Sequence, residues 1–507
     1  MPPRRNAITL LIILAACTPN RRRTPNDTLV LAIDDVISSA DPRYAKSNYD
    51  GKLGKLIAPG LTSVDTPDAL PRMELAAAID RIDPLTVDVT LAERVFSDGN
   101  PVTADDVVRT YQSVMDNRCD SLYAKGFHER YASLEALDTH RVRFHLKQPL
   151  ATFVSDIDFG IVSWHGVPAG ECHPPIIGAG PYTLRELSSL HVLLDASPRY
   201  PTPPKLPHVE IKFVRDESAR LLMLAGGSLD LLQNAQPDLV DDVAQRPRVK
   251  VSATPSVILT FMLLNNEDPI LRDHRVREAI ALALDRPALI AARFENRAVL
   301  ATGLLPPLHW AYNPDVPRYM RDLPRARQLL DEAGYKPGPD GVRLHLTYKT
   351  SSNAFRTALA RAFAAQLADV GIAVEVRPFE FGTFFDDIKH GTYQLATMQS
   401  SEITEPDFYY FYFNSGRIPN AKDPNAGNRW RYRSPEVDRL TTAGRAELDR
   451  DKRKAIYAQV QRIVATDLPI IPLWHEDNVV LSNVAVQNYT IVPNARFVGL
   501  IGASKSR

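Results

Sequence analysis

The sequence predicts an α/β protein of several domains with at least partly parallel sheets. Three observations carry that expectation. At 507 residues the chain exceeds what one ordinary hydrophobic core organises, so two to four domains are expected. Runs such as LTVDVTL (85–91), RVRFHLK (141–147), VEIKFV (209–214) and VRLHLTY (342–348) alternate apolar and other residues, the period of a half-buried strand. Helical patterns of ten or more residues lie between such strands, and that alternation favours an α/β architecture.

The helices have readable ends. Asp273 caps a run with Val276, Ile280 and Leu284 on one face, Ser434-Pro435 begins another helix, and Gly334 and Gly371 close two more. In SDGNPVTADD (97–106) three carboxylates fall close together. Asp98 belongs to turn chemistry with Gly99, Asn100 and Pro101. Thr103 is an N-cap, and Asp105 and Asp106 occupy the first helical turn, where free amides and the helix dipole favour anions. A calcium loop would need Gly and Glu where Thr103 and Arg109 stand, so no metal is expected there.

Lys+Arg and Asp+Glu balance at 60 each, which leaves no global field to attract nucleic acid. At the N-terminus, Arg4 and Arg5 precede ten apolar or near-apolar residues (7–16) and then Cys17. The run is too short to span a bilayer and fits the core of a secretory signal. LAAC resembles the lipobox of bacterial lipoproteins, which implies removal of residues 1–16 and lipidation of Cys17. The alternative is an ordinary signal with Cys17 incidental. Residues 17–27 then form a Pro-rich polar tether, with Arg21, Arg22 and Arg23 near headgroups or simply solvated. Export makes a disulfide between the two remaining cysteines, Cys119 and Cys172, plausible.

The stretch LAAAIDRIDPLTVDVTLAERVFSDGNPVTADDVVRTY resembles the signature of extracellular solute-binding proteins of the dipeptide/oligopeptide type, family 5, which serve ABC importers. GAGPYTLREL (178–187), RDESARLLMLAGGSLDLL (215–232), LLNNEDPILRDHRVREAIALALDRPALI (263–290), LPRARQLLDEAGY (323–335) and the stretch 434–474 agree in order, covering roughly residues 28–490. The resemblance implies a bilobal periplasmic-binding-protein fold of class II, peptide-binding type, with an extra inserted domain and three crossovers at the hinge. Residues 28–47, 177–258 and 479–507 are expected to form the first lobe, 48–176 the inserted domain and 259–478 the second lobe. It further implies a monomeric receptor without cofactor, anchored through Cys17 on the extracytoplasmic side of a bacterial membrane. The receptor would deliver a peptide or similar solute to a permease.

Carried over residue by residue, Glu405-Pro406-Asp407 matches the family's acidic-Pro-Asp run, and Glu402 falls on the position that meets a ligand ammonium, beside Ser401. Gln399 or Ser400 stands where an aromatic is expected. For a ligand carboxylate, alignment on Gly371 gives Thr350 with Lys349 beside it. Strand alternation leaves the facing of Lys349 open, and the start of the next helix, near Ser351, Ser352 and Asn353, offers backbone amides. Trp430 and Arg429 are cleft candidates in a loop, or a surface loop alone. Of the aromatic run 408–413, one or two residues are expected to touch ligand.

Other readings remain. The same fold carries receptors for sugars, opines and metal chelates. An exported hydrolase would also hold extended peptides, but the chain contains no HExxH, GxSxG or CxxC. His165, Cys172 and His173 match no standard zinc spacing.

Overall fold

The computed structural model describes residues 24–233, 235, 240, 243, 245–400 and 402–506; Cys17, the arginines at 21–23 and Ser401 lie outside the described residues. Three sheets organise them. The first has seven strands in the order Val249–Thr254, Asn478–Asn483, Leu231–Gln233, Thr28–Ile33, His208–Phe213, His191–Ala196, Tyr182–Leu187. Thr28–Ile33 is parallel to both its neighbours. Leu29, Leu31 and Ile33 enter one apolar cluster, and Val30 and Ala32 enter another on the opposite face. A strand buried on both faces reads as the continuous apolar run LVLAI rather than as an alternation.

The second sheet has six strands in the order Ala298–Leu300, Ile470–Glu476, Leu259–Leu264, Leu395–Ser400, Leu344–Ser351, Ile372–Phe379. It too is covered twice, with Met262 and Leu264 in one core and Leu259, Phe261 and Leu263 in the other. The third sheet is antiparallel: Ala76–Asp83, Thr86–Leu91, Arg141–Leu146, Tyr131–Ala136. Its core takes in Val107, Tyr111 and Val114 of the helix Ala104–Met115. The fold is therefore bilobal and α/β, with an inserted domain.

The described chain crosses between the two large sheets twice, from Thr254 to Leu259 and from Glu476 to Asn478. The expected three crossovers are corrected by parity: a chain that begins and ends in one lobe must cross an even number of times.

Several family-like motifs turn out to be clamps. Asp230 accepts the N–H of Val30 at 2.8 Å and the Thr24 hydroxyl at 2.6 Å, and pairs with Lys505 at 2.7 Å. It thereby ties both ends of the described chain, from Thr24 and from Lys505, to one strand. Gly178 and Gly180 are required sterically, since a Cβ there would meet the carbonyl oxygens of Ile57 and Leu56 at 1.9 and 2.3 Å. Thr103 and Asp106 form a reciprocal capping box, and Asp106 also accepts the Trp164 N–H at 2.7 Å. Among the described residues no group of His, Cys, Asp and Glu is arranged to hold a metal ion.

Cys119 and Cys172, 53 positions apart in sequence, are joined as a disulfide, with Cα atoms 5.1 Å apart. The Tyr44 hydroxyl donates to the Cys172 carbonyl at 2.7 Å, so the bridge braces the chain just before residue 45. Closing a loop of that length stabilises a domain by roughly 2–4 kcal/mol. Native protein from an oxidising compartment should therefore show no thiol reactive without reductant at these positions. The Cys119→Ser, Cys172→Ser double variant should melt earlier by calorimetry; two reactive thiols and an unchanged melt would contradict this.

Candidate ligand chamber

The lobes are in contact. Glu402, on the second-lobe segment after Leu395–Ser400, receives both Nε and Nη2 of Arg496 from the C-terminal segment of the first lobe, at 3.0 and 2.7 Å. The inserted domain also meets the second lobe. The Ser155 hydroxyl donates to Glu405 at 2.6 Å, the Ala151 N–H donates to the Arg445 carbonyl at 3.1 Å, and Lys125 pairs with Asp423 at 3.1 Å.

Beside these contacts lies a chamber of about 650 Å³ that opens to solvent, within the usual size of small-ligand sites. Its walls come from segments far apart in sequence: residues 45–48, Tyr123 and Arg130, 155–156, 404–405 and 407–408, Arg445 and Arg496. The aromatic run forms the helix Phe408–Phe413, which turns Tyr409, Tyr412 and Phe413 into the core and leaves Phe408 and Phe411 on the chamber.

The chamber is rich in charge, yet its carboxylates are already engaged. Burial alone would raise the Glu402 carboxyl, but Arg496, with Lys52 and Lys55, outweighs this and holds it below the ordinary glutamate value. The Arg496 guanidinium is lowered by burial and raised by more through Glu402 and Asp65. Glu405 pairs with Arg453 at 3.0 Å and Asp407 with Arg445 at 3.2 Å. Asp156 accepts the Thr152 hydroxyl and stands 3.9 Å from Arg130. Asp158 pairs with Lys55, while burial pushes its carboxyl up to about 6. Burial pushes the nearby Lys52 ammonium down to about 8.

The residues expected to hold ligand therefore divide. Glu402 reaches the chamber, but the expectation of a carboxylate whose charge waits for a ligand ammonium is corrected, because each of its oxygens already accepts one N–H of the Arg496 guanidinium. Lys349 pairs with Asp387 at 2.6 Å and lines a separate groove with Thr347, Arg377 and His390. Thr350, on the opposite face of the strand, is buried. Ser352 is exposed, with its N–H on the Phe379 carbonyl, and Asn353 caps the following helix.

Trp430 is a correction: it is 1% exposed and packs among Phe261, Tyr412 and Phe413. Arg429 lies over the Phe385 ring, 4.8 Å from its centroid, away from the chamber. Sequence reasoning missed Lys46, Tyr123, Arg130, Ser155, Arg445 and Arg496. No motif marks them, since they come from segments far apart in sequence that only the fold brings together.

One buried group makes a pH prediction. His309 Nε2 donates to the Thr404 carbonyl and Nδ1 accepts the Ala311 N–H, both at 3.1 Å, which fixes the neutral ring. Burial pushes its pKa down to about 4. An unfolded histidine titrates near ~6.5, so the unfolded chain binds more protons between about pH 6.5 and 4. The contribution to stability is whole above that window and lost as pH falls through it. The urea midpoint should decline from pH 7 to 4.5, and His309→Gln should flatten the decline; an unchanged slope would count against this assignment.

A family model for the middle region of bacterial extracellular solute-binding proteins, family 5, matches residues 71–420, and the chain belongs to that family. Among its relatives it is 28% identical over 428 residues to the "Probable di/tripeptide-binding protein 5" of Pseudomonas aeruginosa, covering 79% of each chain. It is 25% identical over 487 residues to the glutathione-binding protein GsiB of Escherichia coli, covering 92% and 93%. In fold it matches NikZ of Campylobacter jejuni, solved with Ni(L-His), at a TM-score of 0.83 and 22% identity, covering 95% and 100%. It also matches DppA of Helicobacter pylori, solved with the peptide STSA, at 0.78 and 24%, covering 95% and 98%. The chain is thus a solute-binding protein, not an enzyme. Among the described residues no helix is long and apolar enough to cross a membrane.

Proposed function

We propose that this solute-binding protein is the lipid-anchored receptor of an ABC importer, closing its lobes on a peptide or peptide-like solute and presenting the closed form to a membrane permease. The observation that carries this reading is the chamber of about 650 Å³ walled by both lobes and the inserted domain. A ligand touching all three units favours the closed arrangement by its differential affinity for it. The names of the di/tripeptide-binding relatives and the STSA complex favour peptides, and an unbranched backbone with amides along its length suits a chamber lined by polar groups and two phenyl rings. The boundaries proposed are 28–47, 177–258 and 479–507 for the first lobe, 48–176 for the inserted domain and 259–478 for the second. Cys17 is the proposed lipid attachment point, with residues 17–27 as the tether, whose described part is held to the body from Thr24 by Asp230.

Native mass spectrometry of protein purified from its own cell envelope tests the ligand class. A co-purifying peptide supports this reading; a metal chelate or sugar in its place defeats it. For the anchor, Cys17→Ser should move the protein from the membrane fraction to the soluble one with an unchanged melting temperature. Continued membrane partitioning of that variant would refute lipidation at Cys17.

A further inference from the structure

The position that the family resemblance assigns to a ligand's ammonium is already filled by a cation of this chain. Arg496 makes two parallel contacts to Glu402, at 3.0 and 2.7 Å, and its side chain is only 12% exposed. Among the described residues, five carboxylates line the chamber: Asp156, Asp158, Glu402, Glu405 and Asp407. Each stands against a cation of the protein, respectively Arg130, Lys55, Arg496, Arg453 and Arg445. A ligand ammonium entering here would be desolvated beside a guanidinium, with every carboxylate already committed. Lys46 differs. It is exposed on the chamber wall and uses its backbone N–H on Asp50, and among the described residues its ammonium has no ion-pair partner.

We infer that the chamber selects peptide-like solutes whose amino end is capped as an amide and which carry a carboxylate, so that the ligand is anionic rather than zwitterionic. This rests on the peptide reading above and narrows it. Two roles follow from the chemistry. A carboxylate offers about four acceptor sites, and Arg496 uses two of Glu402's, so the remainder can take a neutral amide N–H without any change of charge. Lys46 supplies the uncompensated positive charge for the ligand carboxylate. The apolar faces of Phe408 and Phe411 suit an acyl cap, which adds hydrocarbon where a free terminus adds a hydrated charge.

The test uses the full-length protein stripped of ligand by mild denaturation and refolding, then offered two peptide libraries of two to four residues, identical except that one is N-acetylated. Retained peptides are identified by mass spectrometry, and the best of each kind is measured by calorimetry. Acetylated peptides should bind at least tenfold tighter than their free counterparts. Lys46→Gln, an exposed change, should remove about tenfold of that affinity, while leaving a peptide amidated at its carboxyl end unaffected. If free peptides bind equally well or better, this inference falls and the peptide reading stands. If Lys46→Gln costs nothing, the assignment of the carboxylate to Lys46 falls. If neither library is retained, the peptide reading itself is wrong, and this inference falls with it.

Discussion

Trp430→Ala should lower the stability of the protein by about 3–5 kcal/mol, the cost of emptying a large buried aromatic site. The ring is 1% exposed and sits within 6 Å of three aromatic centroids, Phe261 at 5.7 Å, Tyr412 at 5.4 Å and Phe413 at 5.2 Å. Neighbours this rigid cannot collapse into the void, which places the expected loss in the upper part of the large-to-small range. In a lobe of some 200 residues this corresponds to a melting temperature lower by roughly 10 °C. Ligand affinity measured well below that transition should fall by far less, because the chamber sees the other side of the helix Phe408–Phe413. The converse result, an intact melt with affinity abolished, would return Trp430 to the cleft.

The reading of Trp430 from sequence failed for a definite reason. GNRWRYR has the composition of an exposed recognition loop, with a tryptophan flanked by arginines and no period of strand or helix. Its burial is decided by distant chain. The Asn266 side chain donates to the Trp430 carbonyl at 3.0 Å, and Asn428 fastens the loop from within by donating to the Tyr432 carbonyl at 2.8 Å. Local composition therefore described the loop's chemistry and missed its placement.

What was legible is what is local. Caps at Thr103, Asp273 and Ser434 stand where the sequence puts them, because a cap depends on three or four consecutive residues. The motifs were legible as local strings, whereas what they do was not: Asp230 holds the Val30 N–H, and Arg277 holds the carbonyls of Leu271 and Leu468 at 2.9 and 3.0 Å. The chamber was legible only in part. Glu402, Phe408 and Phe411 could be found on one short segment, but the cations that neutralise it come from residues 55, 130, 445, 453 and 496. Nothing in the neighbourhood of Arg496, in VPNARFVG, signals a partner 94 residues earlier. Lys349 shows the same limit at the scale of a strand, where a shift of one residue exchanges the core face for the outer one.

Breaking the Glu402–Arg496 pair from either side should open the clamp. Each single change, Glu402→Gln or Arg496→Gln, strands a charge in the interlobe contact, and a buried pair broken on one side typically costs 3–5 kcal/mol. Glu402 keeps a quarter of its side-chain surface in solvent, so roughly 3 kcal/mol is expected. At ~1.4 kcal/mol per decade, the closed-to-open ratio of the ligand-free protein should fall by about two powers of ten. The double change to glutamine removes both charges and leaves two neutral amides, so it should cost much less than the sum of the singles. That non-additivity marks a direct contact rather than two separate structural roles. Interlobe distances from paired spin labels, on wild type and all three variants without ligand, measure it. Strictly additive effects, or single variants as closed as wild type, would show that the lobes are held by Ser155–Glu405 and Lys125–Asp423 and that the ion pair is incidental to closure.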